Sequence, residues 1–577
     1  MPVDAGQPPS PRPDRAARRQ ALAARASVDV AIIGAGINGA GLFRDLSAQG
    51  VDCLLVDKAD YGSGTSAASS RLIHGGLKYL ETGEFRLVAQ STLERNLLLR
   101  NAPHYVHPLP TTIPIFSWTK GAGAALRTFL GRAGAQRSRG AAIIALGLQI
   151  YDRYGSRHRA LPRHRMAGRR RALREIPGLT PRIVATGTYY DAWISHPERL
   201  VLELVQDGMA LNPGSTAFNY MPLVGRRGGE LRFADATSGD ILAVRPRLVV
   251  NAAGPWIDRV NAVLGLPTRL IGGTKGSHLV LRHDELLARL GGRMIYFEAD
   301  DGRICLVFPY LGRVLVGSTD IRADDPDAIV CAEEEGEYLL ASLRALFPAL
   351  RFDRGQIVYS YCGVRPLPHS DVADPGLISR DHSAPVLEPE ADRPFPVLSL
   401  VGGKWTTFRG FAEEVADTVL QCLGRTRKQG TRDMPIGGGR GFPVEPSARD
   451  AWIAAEVRRS GLPAERVAAL LERYGTRASA VADHCRRGRD GPLAHVPAYT
   501  QREIAFLAAE EDVLHLADIV FCRTTPAVRG QVTVPLLDEL AAIAGALHGW
   551  DRPRRDTEVG LCIEALAGRH GVRLAGR

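Results

Sequence analysis

Residues 28–60 read VDVAIIGAGINGAGLFRDLSAQGVDCLLVDKAD. An apolar run, Val28–Ile33, leads into Gly34-x-Gly36-x-x-Gly39, then an amphipathic helix, then a second apolar run, Val51–Val56, ending in Asp57. Each glycine has a physical task. Gly34 makes the tight turn, Gly36 lets backbone approach a pyrophosphate, and Gly39 lets helix and strand pack closely. The helix N-terminus then faces phosphate, and Asp57 accepts from a ribose hydroxyl. Strand, fingerprint, helix, strand and acid in this order predict a Rossmann-type βαβ unit in an α/β fold. An acid at 57 suits the adenosine of FAD or NAD and repels the 2′-phosphate of NADP.

Two later stretches separate FAD from NAD. Leu248–Asp258, LVVNAAGPWID, reads as a buried strand running into small residues. Val397–Asp417, VLSLVGGKWTTFRGFAEEVAD, reads as a strand, a Gly402-Gly403 turn and a helix. A second glycine turn and helix N-terminus can hold the far end of a long cofactor. A cofactor bracketed by 34–57 and 402–410 is extended and gripped along its length, which fits bound FAD better than an exchanging nicotinamide.

The 577 residues carry a net charge of +11 and a pI near 9.4, which favours anionic partners. Ordinary apolar and charged fractions exclude fibrous and disordered classes for the bulk of the chain. The eight cysteines are scattered without CxxC, as expected of reduced thiols in a cytoplasmic setting. No run approaches the roughly 18 apolar residues of a membrane span. Residues 1–27 lack the apolar core of a secretory signal and are expected to form a mobile tail.

The remaining organisation is interleaved. The cofactor unit is expected over 28–85, 191–264 and 356–425, with insertions at 86–190 and 265–355 forming a sheet-based cap. RICLVFPY-LG-RVLVGSTD (303–320) reads as a hairpin within that cap. A linker at 426–446 is expected to precede a separate helical domain over 447–577. Segment 120–174 mixes arginines with Leu130, Ile143, Ile144, Leu146, Leu148 and Ile150. That pattern suits an anionic membrane surface, and no nucleic-acid module accompanies it, so no nucleic-acid partner is expected.

SSRLIHGGLKYLE (69–81) sets His74, Lys78 and Tyr79 around Gly75-Gly76, a pair permitting close backbone approach to a ligand. Alone, His74 suits either a structural histidine or a proton acceptor. Arg365, between Val364 and Pro366, suits a pocket cation or a buried ion pair. Lys404, at a helix N-terminus where a cation is unfavourable, asks for an anionic partner.

The blocks GAGINGAG, TSAASSRLIHGGLKYLE, YYDAWISHPERLV, NAAGPW, KGSHLVL, VFPYLGRVLVGSTD, YCGVRPL and GGKWTTFRGFAEE together resemble the FAD-dependent, quinone-linked glycerol-3-phosphate dehydrogenases. The resemblance spans residues 28–425 and weakens at FCRTTPAVRG (521–530). It implies a glutathione-reductase-like FAD-binding domain with a mixed-sheet cap and a C-terminal all-helical domain. It implies oxidation of sn-glycerol 3-phosphate to dihydroxyacetone phosphate, by hydride transfer from C2 to flavin N5, with electrons passed to ubiquinone or menaquinone. Location on the inner face of the cytoplasmic membrane follows from the quinone, and a homodimer stays open. By carry-over, His74, Arg365 and Lys404 are catalytic, and Lys78, Tyr79, Arg365 and Lys404 bind substrate. Cofactor contacts fall on Gly34, Gly36, Gly39 and Asp57, on Thr65, Ser66, His74 and Gly75, and on Ala253, Gly254, Gly403, Lys404 and Thr406. Lys78 stands where the pattern usually has arginine, which keeps the charge but loses the planar two-pronged grip. An oxidase passing electrons to oxygen, a relative acting on another hydroxylated anion, and a non-catalytic adaptor are the competing readings.

Overall fold

The computed structural model describes residues 14–77, 84–118, 140–155, 161–370 and 381–575. Two large sheets, a two-stranded ribbon pairing 382–383 with 401–402, and a helical layer make up the described chain. The first sheet has eight strands, with the parallel core 397–399, 241–251, 27–33, 53–56 and 216–218. Ser27–Ile33 reads SVDVAII and is buried on both faces, as an interior parallel strand must be. The helix Ile37–Ala48 covers one face of this sheet, together with Phe408–Cys422 and Pro197–Leu211. The other face is closed by Phe218, Phe233, Leu242 and Phe395.

The second sheet has ten strands, in the order 321–322, 274–281, 313–317, 304–310, 294–298, 106–115, 185–194 and 72–73, with 357–365 and 165–168 paired at its sides. The hairpin Ile304–Tyr310/Arg313–Gly317 turns through Leu311 and Gly312, both at positive φ, the geometry of a two-residue hairpin loop. Helix Glu333–Leu346 covers one face of this sheet. The other face shares a core with the C-terminal helices, where Phe308, Tyr310 and Tyr359 meet Leu470, Leu507 and Leu537.

Three of the expected segments take part in contacts that the sequence did not show. Residues Arg15–Arg25 form a helix capped by the Asp14 carboxylate. It docks through Leu22 and through Arg18, which donates to the Ala217 carbonyl at 2.7 Å and pairs with Asp512. Its apolar face is built of alanines and a single leucine set among arginines, too weak a signal beside the prolines before it, which is why it read as a tail. Ile357–Arg365 and Leu72–Ile73, expected in the cofactor unit, pair into the second sheet; such long-range pairing leaves no local signature. The expected linker is packed, with Ile436 buried and the Pro435 carbonyl accepting from Arg44 at 2.6 Å.

Candidate active site

A continuous cavity of about 2500 Å³ lies between the two sheets and the C-terminal helices. Drug-sized ligands fill roughly 300–1,000 Å³, so this space suits an extended cofactor and a substrate together. Its floor is the glycine fingerprint. Gly34 sits at φ +106°, and a Cβ there would lie 2.6 Å from the Ala252 carbonyl oxygen. A Cβ on Gly39 would lie 1.9 Å from the Gly34 carbonyl oxygen, so helix and strand close up only over glycine.

Asp57 ends the second strand with its carboxylate accepting from the Ala35 N–H at 2.7 Å and the Ala59 N–H at 3.0 Å. Burial pushes its pKa up to about 6, against the pull of those two amides. Ser66 Oγ accepts the Ile37 N–H at the helix N-terminus, and Thr65 Oγ1 donates to the Val364 carbonyl. These contacts tie the 64–70 segment to both the fingerprint helix and the strand that carries Arg365.

The segment that follows carries His74. The His74 N–H donates to Thr406 Oγ1 at 3.2 Å, joining this loop to the GGKWTT turn. The Gly75 N–H donates to Tyr151 Oη at 2.9 Å and to Asp191 Oδ1 at 3.1 Å. Both acceptors are buried, and Arg95 donates to each of them. A Cβ on Gly75 would lie 2.3 Å from Tyr151 Oη. Gly75 and Gly39 therefore serve close packing with protein and do not line the cavity, whereas His74 and Gly76 do.

Arg365 ends the strand Ile357–Arg365 and crosses Gly276, where a Cβ would lie 2.2 Å from its Nη2. Its guanidinium donates to Asp320 Oδ1 at 2.9 Å, to Ser318 Oγ at 3.1 Å and to the Thr319 carbonyl at 3.1 Å. Lys404 reaches the cavity from the opposite side, with Nζ 3.4 Å from Ser91 Oγ. Gly403, Ala253, Gly254 and Thr406 line the same space. Lys78 and Tyr79 lie outside the described residues.

Two cavity residues escaped the sequence reading. His278, inside the block KGSHLVL, is 2 % exposed and sits 2.8 Å from Ser70 Oγ, stacked on Tyr361 at 4.9 Å. Burial, then the positive charges of Arg365 and Arg71, push its pKa down to about 3, so it is a neutral imidazole. Its Nδ1 is buried without a hydrogen-bond partner. A histidine interrupting an apolar strand was the available signal. Asp320 closes the hairpin's GSTD and was legible only once Arg365 was seen beside it.

The donor set fits FAD. Asn38 Oδ1, at the fingerprint helix N-terminus beside Gly403, is buried without a partner. Gly254 lines the cavity at φ +57° with nothing within 4 Å of where a Cβ would project. These are an orphan acceptor and an open cradle on the path between residues 34–57 and 402–406. Residues 29–418 match the FAD dependent oxidoreductase family. The chain belongs to that family.

As a member of the FAD dependent oxidoreductase family, it uses FAD as its cofactor. Residues 429–555 match the C-terminal domain of alpha-glycerophosphate oxidase. Among curated relatives, a glycerol-3-phosphate dehydrogenase of Synechocystis sp. is 35% identical over 72% of this chain and 74% of its own length. A D-erythritol 1-phosphate dehydrogenase of Brucella abortus is 31% identical over 71% of this chain and 77% of its own. The crystal structure of a glycerol-3-phosphate dehydrogenase from Bacillus halodurans, complexed with FAD, superposes with a TM-score of 0.72. It is 22% identical and covers 96% of this chain and 97% of its own, which establishes the shared fold.

Proposed function

We propose that this protein oxidises sn-glycerol 3-phosphate to dihydroxyacetone phosphate and delivers the electrons to a membrane quinone. The observation that carries the reading is the convergence of His74, His278, Arg365 and Lys404 on the cavity that holds the dinucleotide cradle. Relatives named glycerol-3-phosphate dehydrogenase support the substrate.

FAD, held by the 34–57 cradle and the 403–406 turn, supplies the two-electron oxidising centre for the alcohol carbon. In this reading Lys404 and Arg365 bind the phosphate or polarise the C2 oxygen, and His74 accepts the hydroxyl proton. His278, kept neutral by its surroundings, accepts a hydrogen bond from substrate or from Ser70. Because Arg365 is paired with Asp320, its net charge toward a dianion is partly cancelled, and Lys404 carries more of the phosphate attraction. Lys78 and Tyr79 orient the substrate in the same proposal.

The membrane part of the reading is supported by the helix Ala141–Tyr154. Leu146 is exposed on this helix, Phe116 and Trp118 are exposed just past the strand 106–115, and Arg163, Arg165, Arg169 and Arg170 are exposed in the segment that follows the helix. No helix among the described residues is long and apolar enough to cross a membrane. Phe116, Ile143, Ile144 and Leu146 also line the cavity, which suits entry of an apolar quinone from the inner face of the cytoplasmic membrane.

A second reading, oxidation of a four-carbon polyol phosphate, is favoured by the Brucella relative and the cavity's size. The test is flavin reduction in His74→Asn and Arg365→Ala with each polyol phosphate, followed by reoxidation with a quinone analogue or oxygen. Both variants are expected to lose at least about a hundredfold in reduction rate. Normal rates in both overturn the assignment, and reoxidation by oxygen alone replaces the quinone with an oxidase reading.

A further inference from the structure

The Arg365 guanidinium donates to three consecutive residues, Ser318, Thr319 and Asp320, and at 3.4 Å to Thr274 Oγ1 on the neighbouring strand. The three consecutive residues leave the strand Arg313–Gly317 and form an irregular segment that needs its own anchor. The anchor is a single carboxylate, Glu335, 4 % exposed, in the first turn of the helix Glu333–Leu346. Its Oε1 accepts from Thr319 Oγ1 at 2.6 Å and from Ser277 Oγ at 2.9 Å. Its Oε2 accepts from the Ala332 N–H at 2.9 Å and pairs with Lys275 Nζ at 2.6 Å. Thr319 Oγ1 also accepts the Ser277 N–H at 2.9 Å, so the hydroxyl is fixed from both sides.

Burial opposes ionisation of Glu335, but Lys275, Thr319, the Ala332 amide and Ser277 outweigh it and hold the carboxyl below its usual range. The carboxylate thus joins the helix, the strand Thr274–Leu281 and the 318–320 segment at one charged point. Such charge-assisted bonds are shorter and stronger than neutral ones, and in a dry site they fix geometry.

We infer that Glu335 is a positioning residue for Arg365, acting through Thr319 to hold the 318–320 segment against the guanidinium. This rests on the reading that Arg365 meets the substrate's anion. Glu335 touches neither Arg365 nor the cavity; its effect passes through the Thr319 hydroxyl and the Thr319 carbonyl on the same residue. A helix cap alone would need only the Ala332 contact. The Thr319 contact ties the carboxylate to the residue whose carbonyl meets Arg365.

The test uses the full-length, FAD-loaded protein with Glu335→Gln and Thr319→Val. Gln keeps the shape but offers one oxygen where two are engaged, so its amide must face either the hydroxyls or the Ala332 N–H and Lys275. Val is isosteric with Thr, leaves the helix cap intact, and carries the same test should E335Q fail to hold FAD. KM and kcat for sn-glycerol 3-phosphate are measured beside the Kd of inorganic phosphate by calorimetry. The expected result is a rise of at least about tenfold in KM and in phosphate Kd, because misplacing a binding group by about 1 Å costs up to about a hundredfold. Placing either variant in an Arg365→Lys background should shrink the effect to within about twofold, the non-additivity expected of coupled residues. Unchanged KM and Kd, or the same fold-loss in the Arg365→Lys background, overturns the inference. A wild-type protein that binds phosphate but is not reduced by glycerol 3-phosphate defeats the substrate reading instead. The phosphate arm then still decides the role of Glu335.

Discussion

Gly75→Ala puts the placement of the His74 loop under direct strain. The added Cβ would lie 2.3 Å from Tyr151 Oη and 2.5 Å from Thr92 Cγ2, where ordinary contacts begin near 3.4 Å. About 1 Å of movement is needed. Tyr151 cannot supply it easily, since its ring is 2 % exposed and its hydroxyl donates to Asp191 at 2.5 Å while accepting from Arg95 at 3.0 Å. The loop must therefore shift, taking His74 with it and stretching the Gly75 amide contacts. Overpacking of this kind costs about 1–3 kcal/mol of stability, and a 1 Å displacement at a reacting centre costs up to about a hundredfold in rate. The assay is anaerobic flavin reduction by glycerol 3-phosphate in a stopped-flow instrument, with bound FAD and melting temperature measured alongside. Gly560→Ala is the control, because nothing lies within 4 Å of its Cβ position and alanine favours its helix by up to about 1 kcal/mol. A folded, FAD-loaded Gly75→Ala protein that reduces at the wild-type rate refutes the placement of this loop at the reacting centre.

Three further outcomes are expected. His278 has a folded pKa of about 3 against about 6.5 unfolded. The unfolded state therefore protonates first, and stability present above pH 6.5 is lost as pH falls toward 3. This group alone accounts for about 2 kcal/mol of loss at pH 5, so the shift in denaturation between pH 8 and pH 5 should shrink by that amount in His278→Gln. Arg523→Ala removes the two bonds, at 2.6 Å and 3.0 Å, that neutralise buried Asp60; it should cost about 3–5 kcal/mol in denaturant titrations. Leu146→Glu should weaken sedimentation with anionic vesicles at least about tenfold, and equal binding would remove this helix from the membrane face.

The parts of the fold set by local chemistry were legible. Gly34, Gly39 and Asp57 sit where steric and hydrogen-bond rules require them, and the 303–320 hairpin announced itself through two apolar β runs around Leu-Gly. His74 lies hundreds of residues before Arg365 and Lys404, yet all three border one cavity, although their roles follow from chemistry and not from position. What sequence hid was non-local. The 357–365 strand joins the second sheet through pairing with 274–281, which no window of residues encodes. The Arg15–Arg25 helix docks by guanidinium contacts and one leucine, and its alanine-rich face carries too little apolar signal to reveal it. Glu335 is one of three acids that open its helix, and its contacts with Thr319 and Ser277 are long-range.

The central claim is that the cavity joins a flavin to a bound phosphorylated polyol. Its most direct test is anaerobic titration of the purified yellow protein with sn-glycerol 3-phosphate, following flavin absorbance. The account expects full bleaching at about one equivalent of substrate oxidised per flavin, with dihydroxyacetone phosphate formed in step. A flavin that stays oxidised at saturating glycerol 3-phosphate, in protein that retains its FAD, contradicts it.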